Sequence, residues 1–185
     1  MKKRLYEYLI YNNVKIDQDV FDYGFSYFKS YMIYLIITIP FIILFKLYIN
    51  IALFLILYIP LRKYLGGYHF NNNLVCVFFS SFISILVSYY SSIYNIPYVY
   101  YLASSIIVLF LTIFIAPIEH ANKKLNSYEK RIYKFKAIKI EIIFILLSII
   151  IYTFFKKNFI SILFYINIIN ICNLIIGKSF NRNHK

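Results

Sequence analysis

Six strongly apolar segments follow one another at about 30–46, 47–61, 74–95, 98–117, 140–155 and 159–176, separated by short polar stretches. Crossing the hydrocarbon core of a bilayer takes a helix of about 20 apolar residues, with about 17 as the lower limit. The third, fourth and sixth segments reach that length. The first, second and fifth are shorter, so they either borrow Tyr and Lys at their ends for the interface or are partly re-entrant. The expected fold is an all-α integral membrane protein of about six transmembrane or re-entrant helices, with four spans plus re-entrant pieces as the alternative.

Composition supports the membrane class. The chain is 62% hydrophobic and 15% charged, with a mean hydropathy of +0.69. A soluble domain of this size could not cover so much apolar surface. Residues 1–24 read differently from the rest. Leu5, Tyr8, Leu9, Ile16 and Val20 recur near helical spacing, while Lys2, Lys3, Glu7, Lys15 and Asp17 form a polar face. That is the pattern of an amphipathic helix lying in the headgroup plane. Polar residues from Glu7 to Asp17 interrupt any signal-peptide core. The chain therefore divides into an interfacial helix over 1–24 and a polytopic membrane domain over 25–185.

The net charge of +13 reads as membrane topology and attraction to anionic headgroups, not as nucleic-acid binding. With the N-terminus inside, every Lys and Arg except Lys46, Lys156 and Lys157 falls on the cytoplasmic side. Positive charge is retained on that side of a membrane. Both termini, the 118–139 loop and the 62–73 island are thus expected to be cytoplasmic.

The polar island Arg62–Cys76, RKYLGGYHFNNNLVC, carries the chemistry. It holds one of three histidines and one of two cysteines. The thiolate is the reactive form of cysteine, and a nearby imidazole can serve as its acid–base partner. On one straight helix His69 and Cys76 would share a face yet stand roughly 10 Å apart, too far for proton transfer. The segment between them must turn back if they act together. Gly66-Gly67 permits backbone conformations closed to other residues, and Asn71-Asn72-Asn73 is a natural turn or N-cap run. Cys76 then sits in the first turn of the next helix, where the helix dipole favours an anion. Taken singly, a cysteine in an apolar helix is a packing residue; Cys172 is read that way. The two cysteines do not form a disulfide framework.

Arg62, Gly66-Gly67, His69 and Cys76, in that order and spacing, resemble the active-site segment of the AgrB family, the accessory gene regulator membrane endopeptidases of Gram-positive quorum sensing. The similarity extends over nearly the whole chain: its length, amphipathic start, multi-span layout and basic loop. That loop opens with Ala116-Pro117-Ile118-Glu119 and continues with Asn122-Lys123, resembling the family's proline-acid-asparagine-lysine stretch. Phe70 and Lys124 depart from the family pattern, which expects a small residue and often a proline there. The resemblance implies a cysteine endopeptidase acting on a short AgrD-like precursor peptide with an amphipathic leader, a central cysteine-bearing segment and an acidic tail. Cys76 would be the nucleophile and His69 its base, with Arg62 and the basic 123–139 loop holding the tail. Gly66, Gly67, Asn73, Glu119 and Lys123 would support the site or bind substrate. No cofactor is implied, and a homodimer is.

Glu119-His120 is either a group that orients His69 or a solvated loop pair. A metal site from His69, Cys76, Glu119 and His120 has neither HExxH nor paired-cysteine spacing behind it, so none is expected. Rival functions are a small transporter or permease subunit and a non-catalytic membrane partner protein. A transporter should place ionisable residues within its spans. Here the spans read as carrying almost none, Asn167, Asn170 and Asn173 being polar but neutral.

Overall fold

A computed structural model describes residues 2–183 except 13, 15, 69, 71, 120–124 and 155–157, with backbone alone at 154, 158 and 181–183. Among the described residues the chain forms seven helices and no strand: α1 (Lys2–Tyr11), α2 (Gln18–Phe45), α3 (Tyr48–Leu65), α4 (Asn73–Ile93), α5 (Tyr98–Phe114), α6 (Ser127–Phe154) and α7 (Asn158–Asn183). The fold is all-α, as the apolar segments require. Helices α2, α3 and α4 and the Phe159–Phe180 part of α7 are long and apolar enough to cross a membrane, and α5 is a shorter apolar helix.

Two boundaries differ from the sequence reading. The lead taken as one helix over 1–24 is divided: α1 ends at Tyr11 and α2 begins at Gln18. The Asn12 side chain donates to the Tyr8 carbonyl at 2.8 Å as α1 ends. A Tyr6–Phe21 ring pair at 5.0 Å and a Lys2–Asp22 ion pair at 2.9 Å then hold α1 back against the start of α2. The second difference lies in α6. It starts at Ser127, so the basic residues from Lys130 to Lys139 and the apolar stretch after them belong to one helix.

The helices α2 and α3 are separated at Lys46, whose left-handed backbone (φ 54°, ψ 40°) reverses the chain while its N–H bonds the Ile42 carbonyl. Phe54, Leu57, Leu61 and Leu65 recur every three or four residues along α3 and form one buried stripe. That stripe lets α3 pack against α4, α6 and α7. Between apolar helices in lipid there is no hydrophobic drive, so close packing of small residues and interhelical hydrogen bonds hold the bundle. Ser81, Ser84, Ser88 and Ser91 line the buried face of α4. Asn167 of α7 donates to Ser104 at 3.1 Å and Ser105 at 2.8 Å on α5, and Tyr34 of α2 donates to Ser84 at 2.9 Å. Such bonds contribute about 0.6 kcal/mol each.

One residue corrects the reading of the spans as nearly free of ionisable groups. Glu141 of α6 is 1% exposed, and neither carboxylate oxygen has a hydrogen-bond partner among the described residues. The Asn170 amide and the Ser88 hydroxyl are likewise buried and unpartnered.

Candidate functional site

The loop after α3 is built by Arg62. One turn before the helix ends, its guanidinium donates through Nη1 to the Gly66 carbonyl at 2.6 Å and through Nη2 to the Tyr68 carbonyl at 2.7 Å. A planar fork suits this task, because it meets two acceptors in fixed geometry and adds charge to both bonds. Gly66 (φ 71°, ψ −151°) and Gly67 (φ 136°) take backbone conformations that side chains rarely adopt. Each is also pinned by a neighbour. A Cβ on Gly66 would strike the Ile118 carbonyl, and one on Gly67 would strike Arg62 Nη1.

Loops from distant parts of the chain converge here. Gly66 and Ile118 form an isolated parallel bridge, with the Ile118 N–H donating to the Leu65 carbonyl at 2.9 Å. Gly177 of α7 lets that helix close on the same place, since a Cβ there would crowd the Ile118 side chain and the Tyr68 nitrogen. Tyr68 also packs on Phe180 of α7 at 4.6 Å. Phe70, a departure from the family pattern, bridges Tyr68 at 5.1 Å and Phe79 of α4 at 5.3 Å. The bulk of Phe70 anchors the loop to the helix that follows.

That next helix carries Cys76. Asn72 is its N-cap, the side chain accepting from the Leu74 N–H at 2.9 Å, and the Cys76 N–H makes a backbone bond to the Asn72 carbonyl at 3.1 Å. The thiol thus stands at the end of the first turn, and the N–H groups of Asn73 and Val75 lie at the open end of the helix. Cys76 is half-buried, while Asn73 is exposed. Because α3 ends at Leu65 and α4 begins at Asn73, residues 69 and 76 do not share one straight helix. His69 itself lies outside the described residues, as do Asn71, His120, Asn122, Lys123 and Lys124.

An open cavity of about 650 Å³ lies between α2 and α3. Tyr23, Gly24, Tyr27 and Tyr31 of α2 form one wall, and Tyr58, Ile59, Arg62 and Lys63 of α3 form another. Gly66-Gly67, the segment Pro117–Glu119, Leu125 and Tyr133 close it off. Cys76 lies within electrostatic reach of Tyr27 and Tyr58. Tyr58 is positioned from α7, where Asn173 donates to its hydroxyl at 3.3 Å.

The expected supporting residues separate into groups. Arg62, Gly66 and Gly67 are together, and the two carbonyl bonds give Arg62 a task in shaping the loop. Glu119 accepts from the Leu125 N–H at 2.8 Å and pairs with Lys130 at 3.1 Å, tying its own loop to the start of α6. Cys172, read from the sequence as a packing residue, is instead exposed on α7. Sequence reasoning missed Gly24, Tyr27, Tyr58, Tyr133 and Gly177. One signal pointed at two of them: the chain has only four glycines, and all four either line this cavity or close its loop.

The family model for AgrB, accessory gene regulator B, matches residues 2–176. No curated protein and no solved structure matches the chain.

Proposed function

The chain belongs to the AgrB family, and on that premise we propose that it is a membrane cysteine endopeptidase with Cys76 as nucleophile and His69 as base. Membership gives it a role in agr autoinducer processing at the membrane, with an AgrD-type precursor peptide as partner. The observation that supports the finer reading is the position of Cys76: half-buried at the first turn of α4 and within electrostatic reach of Tyr27 and Tyr58, which line a cavity large enough for a short stretch of peptide.

In the proposed reaction His69 takes the thiol proton as the Cys76 sulfur attacks the carbonyl joining the precursor's central segment to its acidic tail. The carbon–nitrogen bond breaks, His69 returns the proton to the leaving amine, and a thioester remains on Cys76. An internal Cys or Ser of the peptide then attacks that thioester, regenerating the thiol and closing a thiolactone or lactone ring. Thioester exchange is nearly isoenergetic whereas hydrolysis is strongly downhill, so cyclisation needs water excluded and the internal nucleophile held close. A site at the membrane edge serves both needs. The open N–H groups of Asn73 and Val75 are suited to receive the oxyanion.

Arg62 acts here as a positioning residue. Its two donors to the Gly66 and Tyr68 carbonyls shape the segment that leads into His69. Holding the acidic tail falls to Lys63 and to the basic residues of the 123–139 stretch. We place this end of the bundle, both termini included, in the cytoplasm from the distribution of Lys and Arg, next to anionic headgroups, and take the working unit to be a homodimer. The buried Glu141 is a feature that the transporter reading would seek, but family membership favours the peptidase.

The test is co-expression with precursors that carry a leader, a Cys or Ser core and an acidic tail, followed by mass spectrometry. Wild type and Cys172→Ala should release the tail, while Cys76→Ala and His69→Ala should not. Cleavage by Cys76→Ala would end the protease reading, and loss of cleavage in a folded Cys172→Ala protein would mean the other thiol is the nucleophile.

A further inference from the structure

Gly24 has no atom within 4 Å of the place where a Cβ would sit. It stands at the seventh position of a 28-residue helix, inside the helix, where glycine costs about 1 kcal/mol relative to alanine, and nothing in its backbone requires it. Its position in the cavity wall supplies a reason. The bond from Tyr34 to Ser84 sets α2 and α4 in register with an offset of fifty residues, which brings Tyr27 level with the first turn of α4 that carries Cys76. Gly24 is one helical turn below Tyr27, about 4.5 Å along the axis. An extended peptide advances about 3.3 Å per residue, so Gly24 faces a point one or two residues from the bond that Cys76 would attack.

We propose that the tyrosine-lined cavity between α2 and α3 seats the residues of the precursor that flank its scissile bond, and that Gly24 sets how bulky those residues can be. This deepens the peptidase reading and rests on it. Several features fit an extended peptide with apolar or aromatic side chains. Five tyrosines (Tyr23, Tyr27, Tyr31, Tyr58 and Tyr133) line it, and such side chains combine an apolar ring with a hydroxyl that can bond a peptide backbone. Arg62 is occupied with loop carbonyls, and Lys63 in the same wall is placed to meet the acidic tail beyond the apolar residues. The volume lies in the range that takes ligands of a few residues. Tyr27 and Tyr58 both line the cavity and lie within electrostatic reach of Cys76, which sets it apart from a surface for lipid tails.

The experiment uses the full-length protein in liposomes and three variants. The probe is a synthetic peptide set with an amphipathic leader, one internal cysteine and an acidic tail. The two residues on each side of the core–tail bond are Ala, Leu or Phe. Gly24→Trp fills open space, so its thermal midpoint and the rate at which iodoacetamide modifies Cys76 should match wild type. It should cleave the Phe and Leu peptides at least tenfold more slowly while handling the Ala peptide within about threefold, and Gly24→Ala should slow the Phe peptide by a smaller factor. Equal slowing of every peptide, or no slowing of any, overturns the proposal. In a Cys76→Ala background, p-benzoylphenylalanine replacing Tyr27 should cross-link to the Phe peptide. Cross-linking to lipid alone overturns the cavity assignment even if cleavage proves to depend on Cys76. Cross-linking together with cleavage by Cys76→Ala would leave the cavity standing and remove the peptidase reading.

Discussion

The fork of Arg62 on the Gly66 and Tyr68 carbonyls predicts a specific pattern of coupling. Hydrogen bonds to a charged group contribute about 1.5–3 kcal/mol each, and about 1.4 kcal/mol corresponds to a factor of ten. At the lower figure, Arg62→Met should lower kcat/KM for precursor cleavage about a hundredfold. Arg62→Lys, a single point donor that can serve one carbonyl, should lower it about tenfold. Gly67→Ala drives its Cβ into Arg62 Nη1, so it should displace the guanidinium and add backbone strain of about 1–3 kcal/mol. The loss should be about a thousandfold. Because Gly67→Ala already abolishes the fork, adding Arg62→Met to it should cost nothing further, although the same change costs a hundredfold in the parent. Gly66→Ala meets the Ile118 backbone carbonyl instead, which no side-chain movement relieves, and no Arg62 variant should rescue it. The assay is the initial rate of tail release in liposomes, with circular dichroism confirming that each variant is folded. A second substrate whose tail carboxylates are replaced by amides separates shaping of the loop from binding of the tail. If Arg62 shapes the loop, Arg62→Met costs the same hundredfold on both. Independent, multiplying losses for Arg62→Met and Gly67→Ala, or an Arg62 effect that vanishes with the neutral tail, would refute the reasoning.

Three further outcomes follow from the packing. Glu141 is buried with both oxygens unpartnered among the described residues, a situation that costs about 1–3 kcal/mol; Glu141→Met should raise the thermal midpoint in detergent, and a lower midpoint would show that the carboxyl is paired in the folded protein. Asn167→Leu removes two interhelical bonds and should lower stability by about 1 kcal/mol, whereas a neutral result in denaturation would mean that those bonds are equally well replaced by apolar packing. Glu119→Gln keeps an acceptor for the Leu125 N–H and gives up the charge that pairs, partly exposed, with Lys130, worth about 0–1 kcal/mol; cleavage should stay within about threefold with an unchanged pH profile, and a shifted profile would give Glu119 a part in orienting the base.

The bundle was legible because lipid favours apolar helices, yet span lengths were read less well: α2 and α3 reach spanning length where their segments looked short, and α5 falls short where its segment looked long enough. The division near Lys46 was visible, since no single span could contain both neighbours. The start of α6 was hidden. Lys130, Arg131, Lys134, Lys136 and Lys139 looked like a loop because charge marks the membrane boundary, yet Lys and Arg are good helix formers, and leaving the membrane does not end a helix. The division between α1 and α2 was hidden because amphipathic spacing persists on both sides of it; the contacts that fold α1 back, Tyr6 on Phe21 and Lys2 on Asp22, are tertiary. Glu141 was passed over because one carboxyl barely changes the hydropathy of a long apolar segment, although at full burial it outweighs many neighbouring isoleucines.

The glycines show where reading a site from sequence stops. Gly66-Gly67 was conspicuous because the two are adjacent and sit beside a histidine and a cysteine, but the sequence could not say what each one avoids. That depends on Ile118, more than fifty residues away, and on the direction in which Arg62 turns. Gly177 was silent for the same reason: its demand comes from the approach of Ile118 and Tyr68, which lie far from it in the chain. Three of the four glycines therefore answer to protein atoms that a Cβ would strike. Gly24 does not, because the space beside it is open. Of the two glycines inside helices, Gly177 answers to Ile118 and Tyr68, whereas Gly24 meets no steric demand from the fold and is best explained by something that enters the cavity from outside. The substrate peptide is the occupant whose presence there the chemistry at Cys76 would require.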